Sequence, residues 1–391
     1  MLKRLELAVG GLLLLLASLS LAAAACGGGG EEVATPTATA AGGGVPMFRA
    51  NPARTGLNPG PGVERSPKVL WRFETGMGLY SSAAVVDEVV YIGSLGGYVY
   101  ALDAATGEER WRFETGGKVF SSPAVVGGVV YIGSASSDAG YVYALDAATG
   151  DQRWRFETDG LVSSSPAVVD GVVYIGSDDG YVYALDAATG EDRWRFETGG
   201  SVWSSPAVVD GVVYIGSPSS DTGYVYALDA ATGEELWRFE TGGWVSSTPA
   251  AVDGVVYIGG FNGYVYALDA ATGEERWRFE TGASVRSSPA VVEGVVYIGS
   301  DDGYVYALDA GTGEELWRLQ TGDGVVSCPA VVDSVVYIGS DDSYVYALDA
   351  ATGEERWRFD TGVWVRSSPA VVDGVVYIGS LNGYVYAITE E

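Results

Sequence analysis

Hydrophobic and polar positions along the chain follow one pattern that returns many times. From Val119 it reads Val-Phe-Ser-Ser-Pro-Ala-Val-Val, Gly-Gly, Val-Val-Tyr-Ile-Gly-Ser, a polar turn, Gly-Tyr-Val-Tyr-Ala-Leu-Asp, Ala-Ala-Thr-Gly and, after two polar residues, Arg-Trp-Arg-Phe-Glu-Thr. Short β-branched runs joined by two-residue Gly or Asp-Gly turns predict tight β-hairpins. Each copy therefore predicts four antiparallel strands, here called A, B, C and D. Strand D alternates Trp and Phe with Arg and Glu, which indicates one buried face and one solvated face.

One motif, Ala-x-Asp-x-x-Thr-Gly-x-x-x-Trp, marks the copies and is first complete from Ala101 to Trp111. Its tryptophans are separated by 40, 43, 40, 43, 40, 40 and 40 residues. A period near 40 residues is typical of propeller blades, which bury both sheet faces against neighbouring blades. The eight tryptophans are Trp71, Trp111, Trp154, Trp194, Trp237, Trp277, Trp317 and Trp357.

The order of the strands predicts how the ring closes. The first repeat strand, Leu70 to Phe73, is a D strand, and the last, Tyr384 to Ala387, is a C strand. The last blade thus lacks a D strand that the first strand can supply. The sequence predicts an all-β fold, an eight-bladed β-propeller of four-stranded antiparallel blades in which the N-terminal strand completes the last blade.

The N-terminal region differs from the repeats. Met1 to Arg4 is basic, an apolar run follows from Leu7, and small residues precede Cys26. This pattern is typical of a secretory signal peptide. We expect a lipoprotein-type signal peptide at 1–25, a flexible Gly/Ala/Thr tether at 26–45, a lead-in segment at 46–64 and the propeller at 65–391. The alternative is an uncleaved anchor helix, since the apolar run is nearly long enough to span a bilayer.

Composition narrows the function classes. The net charge is −29, which argues against nucleic acid or an anionic membrane surface as a partner. The chain contains no His, so His-based catalytic triads are excluded. Cys328 is the only Cys of the propeller, so no disulfide can form within it, and we expect a small buried residue there. We also expect the propeller to be monomeric.

At the repeated motif, the sequence resembles the pyrroloquinoline-quinone (PQQ) enzyme-repeat family. Ala-x-Asp-x-x-Thr-Gly-x-x-x-Trp is similar to that family's tryptophan-docking motif, which implies that each of the eight tryptophans packs on the next blade. Met47 to Gly56 resembles the lead-in of such propellers, and Cys26 resembles the lipidated Cys of bacterial lipoproteins. The last copy departs from the motif at Ile388-Thr389. The family contains quinone-dependent dehydrogenases and also non-enzymatic, BamB-like lipoproteins of outer-membrane barrel assembly, so the fold does not decide the function.

Differences among the copies indicate where a site lies. They concentrate in the D-to-A connections and the B-to-C turns, which must emerge on the same face because successive strands alternate in direction. Aromatic and arginine residues outside the repeat are typical of recognition surfaces. The candidate partner-binding residues are Tyr80, Phe120, Trp203, Trp244, Phe261, Arg286, Trp364 and Arg366. The alternative is that some of these side chains fill the central channel.

Three functions are compatible with this surface. A PQQ- and Ca²⁺-dependent alcohol or sugar dehydrogenase could use the Trp and Arg side chains. The resemblance implies that such dehydrogenases carry insertions that house the catalytic carboxylates, and the loops of this chain are too short for them. Paired acids of the B-to-C turns could bind Ca²⁺, although such turns are common hairpin chemistry; they are Asp178, Asp179, Asp301, Asp302, Asp341 and Asp342. The favoured hypothesis is a non-enzymatic scaffold without a cofactor, exported and lipid-anchored at the cell surface or in the periplasm. It would bind a protein, peptide or glycan through the variable face.

Overall fold

The computed structural model describes residues 47–136, 139–219 and 222–391. Within these residues the regular structure is entirely β, and 32 strands form eight four-stranded antiparallel sheets. Seven sheets follow chain order, and the eighth has the order β1-β32-β31-β30. The predicted eight-bladed propeller, closed by the N-terminal strand, is confirmed. The described residues include no helix long and apolar enough to cross a membrane.

The strands are numbered in chain order and grouped by blade. Blade 1 contains β2 (Ala84–Val86), β3 (Val89–Gly93), β4 (Tyr98–Asp103) and β5 (Glu109–Glu114); blade 2 contains β6 (Ala124–Val126), β7 (Val129–Ala135), β8 (Gly140–Asp146) and β9 (Gln152–Thr158). Blade 3 contains β10 (Ala167–Val169), β11 (Val172–Gly176), β12 (Tyr181–Asp186) and β13 (Asp192–Glu197); blade 4 contains β14 (Ala207–Val209), β15 (Val212–Ser219), β16 (Thr222–Asp229) and β17 (Glu235–Glu240). Blade 5 contains β18 (Ala250–Val252), β19 (Val255–Gly259), β20 (Tyr264–Asp269) and β21 (Glu275–Glu280); blade 6 contains β22 (Ala290–Val292), β23 (Val295–Gly299), β24 (Tyr304–Asp309) and β25 (Glu315–Gln320). Blade 7 contains β26 (Ala330–Val332), β27 (Val335–Gly339), β28 (Tyr344–Asp349) and β29 (Glu355–Asp360); blade 8 contains β30 (Ala370–Val372), β31 (Val375–Gly379), β32 (Tyr384–Glu390) and β1 (Pro67–Glu74).

The A strands line the axis of the ring, where those of neighbouring blades contact one another. They are three residues long, shorter than the predicted Ser-Ser-Pro-Ala-Val-Val. The reason is that the serine side chains bond there in place of the backbone. In blade 2, for example, the Ser121 hydroxyl accepts a hydrogen bond from the Gly133 N–H at 3.0 Å. Proline, which has no N–H, cannot extend the ladder.

A closed belt of hydrogen bonds joins the eight blades around the axis. Its members are the second residue of each Ser-Ser-Pro segment or its variant, and each side chain accepts the backbone N–H of the member before it. The members are Ser82, Ser122, Ser165, Ser205, Thr248, Ser288, Cys328 and Ser368, and Ser368 donates to Ser82. Cys328 is buried and accepts at its sulfur, as expected for a small buried residue. The belt satisfies eight buried N–H groups that the short A strands leave without ladder partners.

Seven of the eight repeat tryptophans contact the next blade in the same way. In seven copies the indole N–H donates to an alanine carbonyl of the next blade at 2.8–3.0 Å; the pairs are Trp71–Ala104, Trp111–Ala147, Trp154–Ala187, Trp194–Ala230, Trp237–Ala270, Trp277–Ala310 and Trp317–Ala350. The glycine of the Thr-Gly step lies flat on the ring, since a Cβ at Gly150 would lie 2.7 Å from Trp111. A strand-B tyrosine donates to the same carbonyl, as Tyr91 does to Ala147. These contacts hold neighbouring blades together.

The eighth tryptophan uses the lead-in segment. Blade 8 ends in Ile388-Thr389-Glu390 and offers no alanine carbonyl at the repeat position. Instead, the Val63 carbonyl accepts from the Trp357 indole at 2.8 Å and from the Tyr337 hydroxyl at 2.9 Å. The lead-in therefore replaces the part of the motif that the last copy lacks.

The lead-in also bonds to the axial strands. The carbonyls of Pro52, Ala53, Thr55 and Gly56 accept backbone N–H groups of the A strands of blades 4, 5, 6 and 7 in turn, from Val208, Ala251, Val291 and Val331. Asn58 continues to blade 8, where its side-chain oxygen accepts the Val371 N–H at 3.1 Å. The segment thus runs around the axis and ties five blades together.

Replacing Ser343 by glycine is expected to stabilise the propeller by about 1 kcal/mol. Ser343 has φ 82° in a B-to-C turn where the equivalent residues of other blades, such as Gly303 (φ 84°), are glycine. A side chain is strained in this region and glycine is not. Chemical denaturation measures the change, and Gly303→Ser should lower stability by a similar amount. A loss of stability in Ser343→Gly would contradict the prediction.

Candidate functional site

The D-to-A connections and B-to-C turns lie together and form one surface, called the loop face below. Backbone hydrogen bonds join the two segments within a blade: the Leu95 N–H donates to the Gly78 carbonyl, and the Phe261 N–H donates to the Trp244 carbonyl. The segments that vary most among the copies are therefore neighbours. This arrangement follows from the antiparallel order of each blade.

Three candidate residues form an aromatic cluster on blades 4 and 5 of the loop face. The ring centroids of Trp203 and Trp244 are 5.7 Å apart at an interplanar angle of 74°, and those of Trp244 and Phe261 are 6.2 Å apart. Trp244 is 42% exposed, whereas Trp203 and Phe261 are half-buried. Edge-to-face contacts of this kind hold large apolar side chains in place at a surface.

Four other candidates meet across blades 8, 1 and 2. The Arg366 guanidinium lies 4.5 Å from the Trp364 ring and 5.8 Å from the Tyr80 ring. It donates to the Tyr80 hydroxyl at 3.2 Å, and the Tyr80 and Phe120 rings are 5.6 Å apart. Trp364 is 47% exposed. The loop face thus carries two groups of aromatic residues, and the exposed member of each is a tryptophan.

Both candidate arginines already hold carboxylates. Arg366 binds Asp341 through Nε at 2.9 Å and Nη2 at 2.7 Å, and this hydrogen bonding raises the pKa of Arg366. Arg286 binds Asp301 through Nε at 2.8 Å and Nη2 at 2.9 Å. Bidentate pairs of this kind fix the guanidinium plane. The two side chains are therefore held in place by carboxylates of their own chain.

The second acid of each B-to-C pair forms a hydrogen bond within its own blade. Asp179, Asp302 and Asp342 each accept the hydroxyl of a strand-C tyrosine at 2.6–2.8 Å. Asn262 occupies the same position in blade 5 and contacts the equivalent tyrosine, Tyr266, at 2.7 Å. The described residues contain no group of three or more His, Cys, Asp or Glu side chains that could hold a metal ion. Their arrangement is that of turn chemistry, and Ca²⁺ would have to displace these contacts.

Asp178 is the exception among the first acids of these turns. Its Oδ1 is buried and has no hydrogen-bond partner among the described residues. Burial raises the pKa of Asp178 to about 6. Hydrogen bonding by the nearby Trp203 indole N–H opposes this rise, and the negative charge of Asp179 adds to it. The sequence pointed to Asp178 only as a weak Ca²⁺ candidate, because periodicity does not show which carboxylates have partners.

Replacing Asp178 by asparagine is expected to stabilise the protein at neutral pH. The pKa of Asp178 in the folded protein lies above its unfolded value of 3.8. Ionisation of Asp178 therefore lowers the stability of the folded protein as pH rises from about 4 through about 6. Asparagine carries no charge, so the gain over wild type should exist above that window and vanish below it. Thermal unfolding across this pH range measures the difference. A gain independent of pH would contradict the prediction.

The predicted features of the N-terminal region cannot be placed on this surface. The candidate lipid anchor Cys26, the signal peptide and the tether lie outside the described residues. Two exposed apolar side chains of the loop face, Met77 (52%) and Val363 (39%), were not among the predicted site residues. Both positions vary among the copies, which could have indicated them, but the prediction was restricted to aromatic and arginine residues.

Comparison with known proteins agrees with this geometry. The family described as outer membrane protein assembly factor BamB, a PQQ-repeat family, matches residues 63–159, 138–222, 221–327 and 301–391. The chain belongs to this family. No curated protein sequence matches it significantly.

Solved structures share the fold of this family member. BamB from Moraxella catarrhalis is 22% identical, with 83% of this chain and 100% of that chain covered and a TM-score of 0.70. Quinohemoprotein alcohol dehydrogenase from Comamonas testosteroni is 18% identical over 88% of this chain and 80% of that one, with a TM-score of 0.72. A europium-containing methanol dehydrogenase is 16% identical over 89% and 98%, with a TM-score of 0.73. At these identities the likeness shows the fold alone.

The loop face fits a quinone cofactor poorly. PQQ carries several carboxylates and would need several free cationic partners. Arg286 and Arg366 are both paired with Asp, which leaves the exposed Lys118 as the one further cation of the described D-to-A connections. An accompanying metal ion would need clustered oxygen ligands, and the described residues offer no such cluster.

Proposed function

We propose that this protein is a non-enzymatic scaffold that binds a protein, peptide or glycan through its loop face. The observation that supports the proposal most is the pair of aromatic groups around Trp244 and Trp364, each more than two-fifths exposed on a rigid β framework. Exposed tryptophans with apolar neighbours are typical anchors of recognition surfaces. Membership of the BamB-like family agrees with a binding role.

The proposal includes export and a membrane tether. Its support is the pattern of residues 1–26, with a basic start, an apolar run and a small-residue step before Cys26. Together with the family match, this favours an envelope-associated lipoprotein. Metabolic labelling with a radioactive fatty acid tests it: wild type should incorporate label, and Cys26→Ser should not. Incorporation by both proteins would contradict the anchor at Cys26.

Peptide and glycan arrays test the binding role. We expect ligands of wild type to bind Trp244→Ala or Trp364→Ala at least about tenfold more weakly, because truncating a hot-spot tryptophan costs ~2 kcal/mol or more. Leu236→Ala is the matched control, since Leu236 is 53% exposed at the D-strand end remote from the loop face. All variants should keep the wild-type melting temperature within a few degrees. Equal binding by all variants would contradict the proposed surface.

The dehydrogenase alternative has its own measurement. Titration with PQQ and Ca²⁺ while following tryptophan fluorescence should give no saturable change if both arginines stay paired with their acids. Saturable quenching together with a higher melting temperature would overturn the non-enzymatic proposal and justify an alcohol or sugar oxidation assay.

A further inference from the structure

The three B-to-C acids Asp178, Asp301 and Asp341 occupy equivalent places in blades 3, 6 and 7. Two positions in the D-to-A connections correspond to each acid along the chain, one 15 residues earlier and one 25 residues later. Asp301 is held by the residue 15 earlier, Arg286, and Asp341 by the residue 25 later, Arg366. The propeller therefore contains two complete guanidinium sites, both filled from its own chain.

Asp178 has no arginine at either of the two corresponding positions. The residue 15 earlier is Ser163 and the residue 25 later is Trp203, and neither supplies a cation. The Asp178 Oδ1 has no partner among the described residues. The Trp203 indole lies near the carboxylate, and Trp203 forms a 5.7 Å edge-to-face pair with the exposed Trp244. Arg366 shows that a guanidinium on this face can be held by a carboxylate and an indole ring at once, because it binds Asp341 while lying 4.5 Å from Trp364.

We propose that Asp178, Trp203 and Trp244 form a recognition site for an arginine side chain of a partner protein. The carboxylate would accept the guanidinium fork, and the indole rings would supply cation–π contacts. The net charge of −29 attracts a basic partner to the surface. This inference rests on the proposed function and specifies the chemistry of the partner.

A charged and an uncharged peptide test the site directly. Acetyl-Gly-Gly-Arg-Gly-Gly-amide and its citrulline analogue, which has nearly the same shape without the charge, are titrated into the full chain at neutral pH with tryptophan fluorescence as readout. The arginine peptide should bind at least about tenfold more tightly, and a lysine peptide should fall between the two because it lacks the fork. Equal binding of the arginine and citrulline peptides would overturn the proposal.

Two variants make the test specific. Asp178→Asn should remove the preference for arginine. Ser163→Arg should remove it too, because it places an arginine 15 residues before the acid, as Arg286 stands before Asp301, and fills the site from within. Asp170→Asn is the control: it removes the same charge from an exposed hairpin of the same blade and should keep the preference. A preference retained in Asp178→Asn and Ser163→Arg would overturn the site.

This outcome is separable from the proposed function. If Trp244→Ala weakens the array ligands while Asp178→Asn leaves all of them unchanged, the loop face binds partners without an arginine site. If Trp244→Ala also leaves them unchanged, the loop face itself is not the binding surface.

An independent observation concerns the axis of the ring. Two arginines of the lead-in are buried there, Arg49 at 6% exposure and Arg54 at 0%. Arg54 donates to the carbonyls of Ser165, Pro166 and Pro206 on blades 3 and 4. Arg49 differs, because its Nε, Nη1 and Nη2 are all buried without a hydrogen-bond partner among the described residues.

The two cations lack a compensating anion in the described part of the chain. Burial lowers the pKa of Arg49 to about 10 and that of Arg54 to about 9. Repulsion by the positive charge of Arg49 also lowers the pKa of Arg54. Both remain protonated at neutral pH. A buried guanidinium without partners is costly, so such groups are paired in native proteins.

We infer that a small inorganic anion binds the buried Arg49 guanidinium and neutralises the two lead-in arginines. Bromide is the probe, because its anomalous scattering distinguishes it from water. Crystals soaked in bromide should show a peak within hydrogen-bond distance of the Arg49 guanidinium, and ordered water alone would overturn the inference.

Solution stability provides a second readout. A bound anion stabilises the fold in a saturable way, so chloride should raise the melting temperature more than gluconate at equal ionic strength. Arg49→Met should abolish this difference, whereas Arg112→Met on the outer surface should keep it. Equal effects of the two anions on wild type would contradict the site.

Discussion

Replacing Trp111 by alanine is expected to lower the free energy of unfolding by about 3–5 kcal/mol. The indole donates to the Ala147 carbonyl of the next blade at 2.9 Å, and its ring is buried against Gly150 and Tyr91. Gly150 leaves no side chain that could move into the space. The variant therefore combines lost burial, a cavity and a lost hydrogen bond between blades.

Chemical denaturation followed by circular dichroism measures this loss. Arg112→Ala is the matched control, because Arg112 is exposed on the other face of the same strand and lies 5.7 Å from the Tyr98 ring. An exposed cation–π contact is worth about 0.5–1 kcal/mol. Losses of similar size in the two variants would show that the repeat tryptophans do not hold neighbouring blades together.

Deleting residues 47–63 is expected to lower the free energy of unfolding by at least about 3 kcal/mol. The deletion removes the carbonyl that accepts from Trp357 and Tyr337, and four carbonyls that accept from the axial A strands. It also removes the buried Arg54. Each buried group left unsatisfied costs about 1–3 kcal/mol, reduced where water enters the channel.

Thermal unfolding of the deletion variant tests this role of the lead-in. Deletion of residues 27–44, within the predicted tether, is the control and should leave the melting temperature unchanged. Hydrogen exchange adds a local readout: the amides of β27 and β29, whose Tyr337 and Trp357 side chains donate to Val63, should lose the most protection. An unchanged melting temperature in the 47–63 deletion would contradict the closure described here.

The blade count and the ring closure could be predicted from the sequence because they depend on repetition. Every copy repeats the Trp, the Tyr-Val-Tyr and the two-residue turns, so local chemistry and global architecture agree. The role of Val63 could not be predicted in this way. It acts through its backbone carbonyl, to which the identity of the side chain gives no clue, and its partners lie more than 270 residues away in the chain.

The sequence predicted on which face the candidate residues lie, but not which of their side chains form ion pairs with each other. Strand direction placed Trp203, Trp244 and Phe261 on one face, and the structure shows that they touch across blades 4 and 5. Arg286 and Arg366 were expected to face a ligand, yet each holds an acid of the same face. Side-chain pairing across a ring depends on offsets of 15 and 25 residues that have no local signature.

Photo-crosslinking in the cells that make the protein tests the central claim, that the loop face binds the partner. A photoreactive phenylalanine analogue is placed at Trp244 or Trp364 on the loop face, and at Leu236 or Leu316 at the other end of the blades. The proposed function predicts the same discrete adduct from both tryptophan positions and none from the leucine positions. Adducts from the leucine positions alone, or equally from both ends, would show that the partner binds elsewhere.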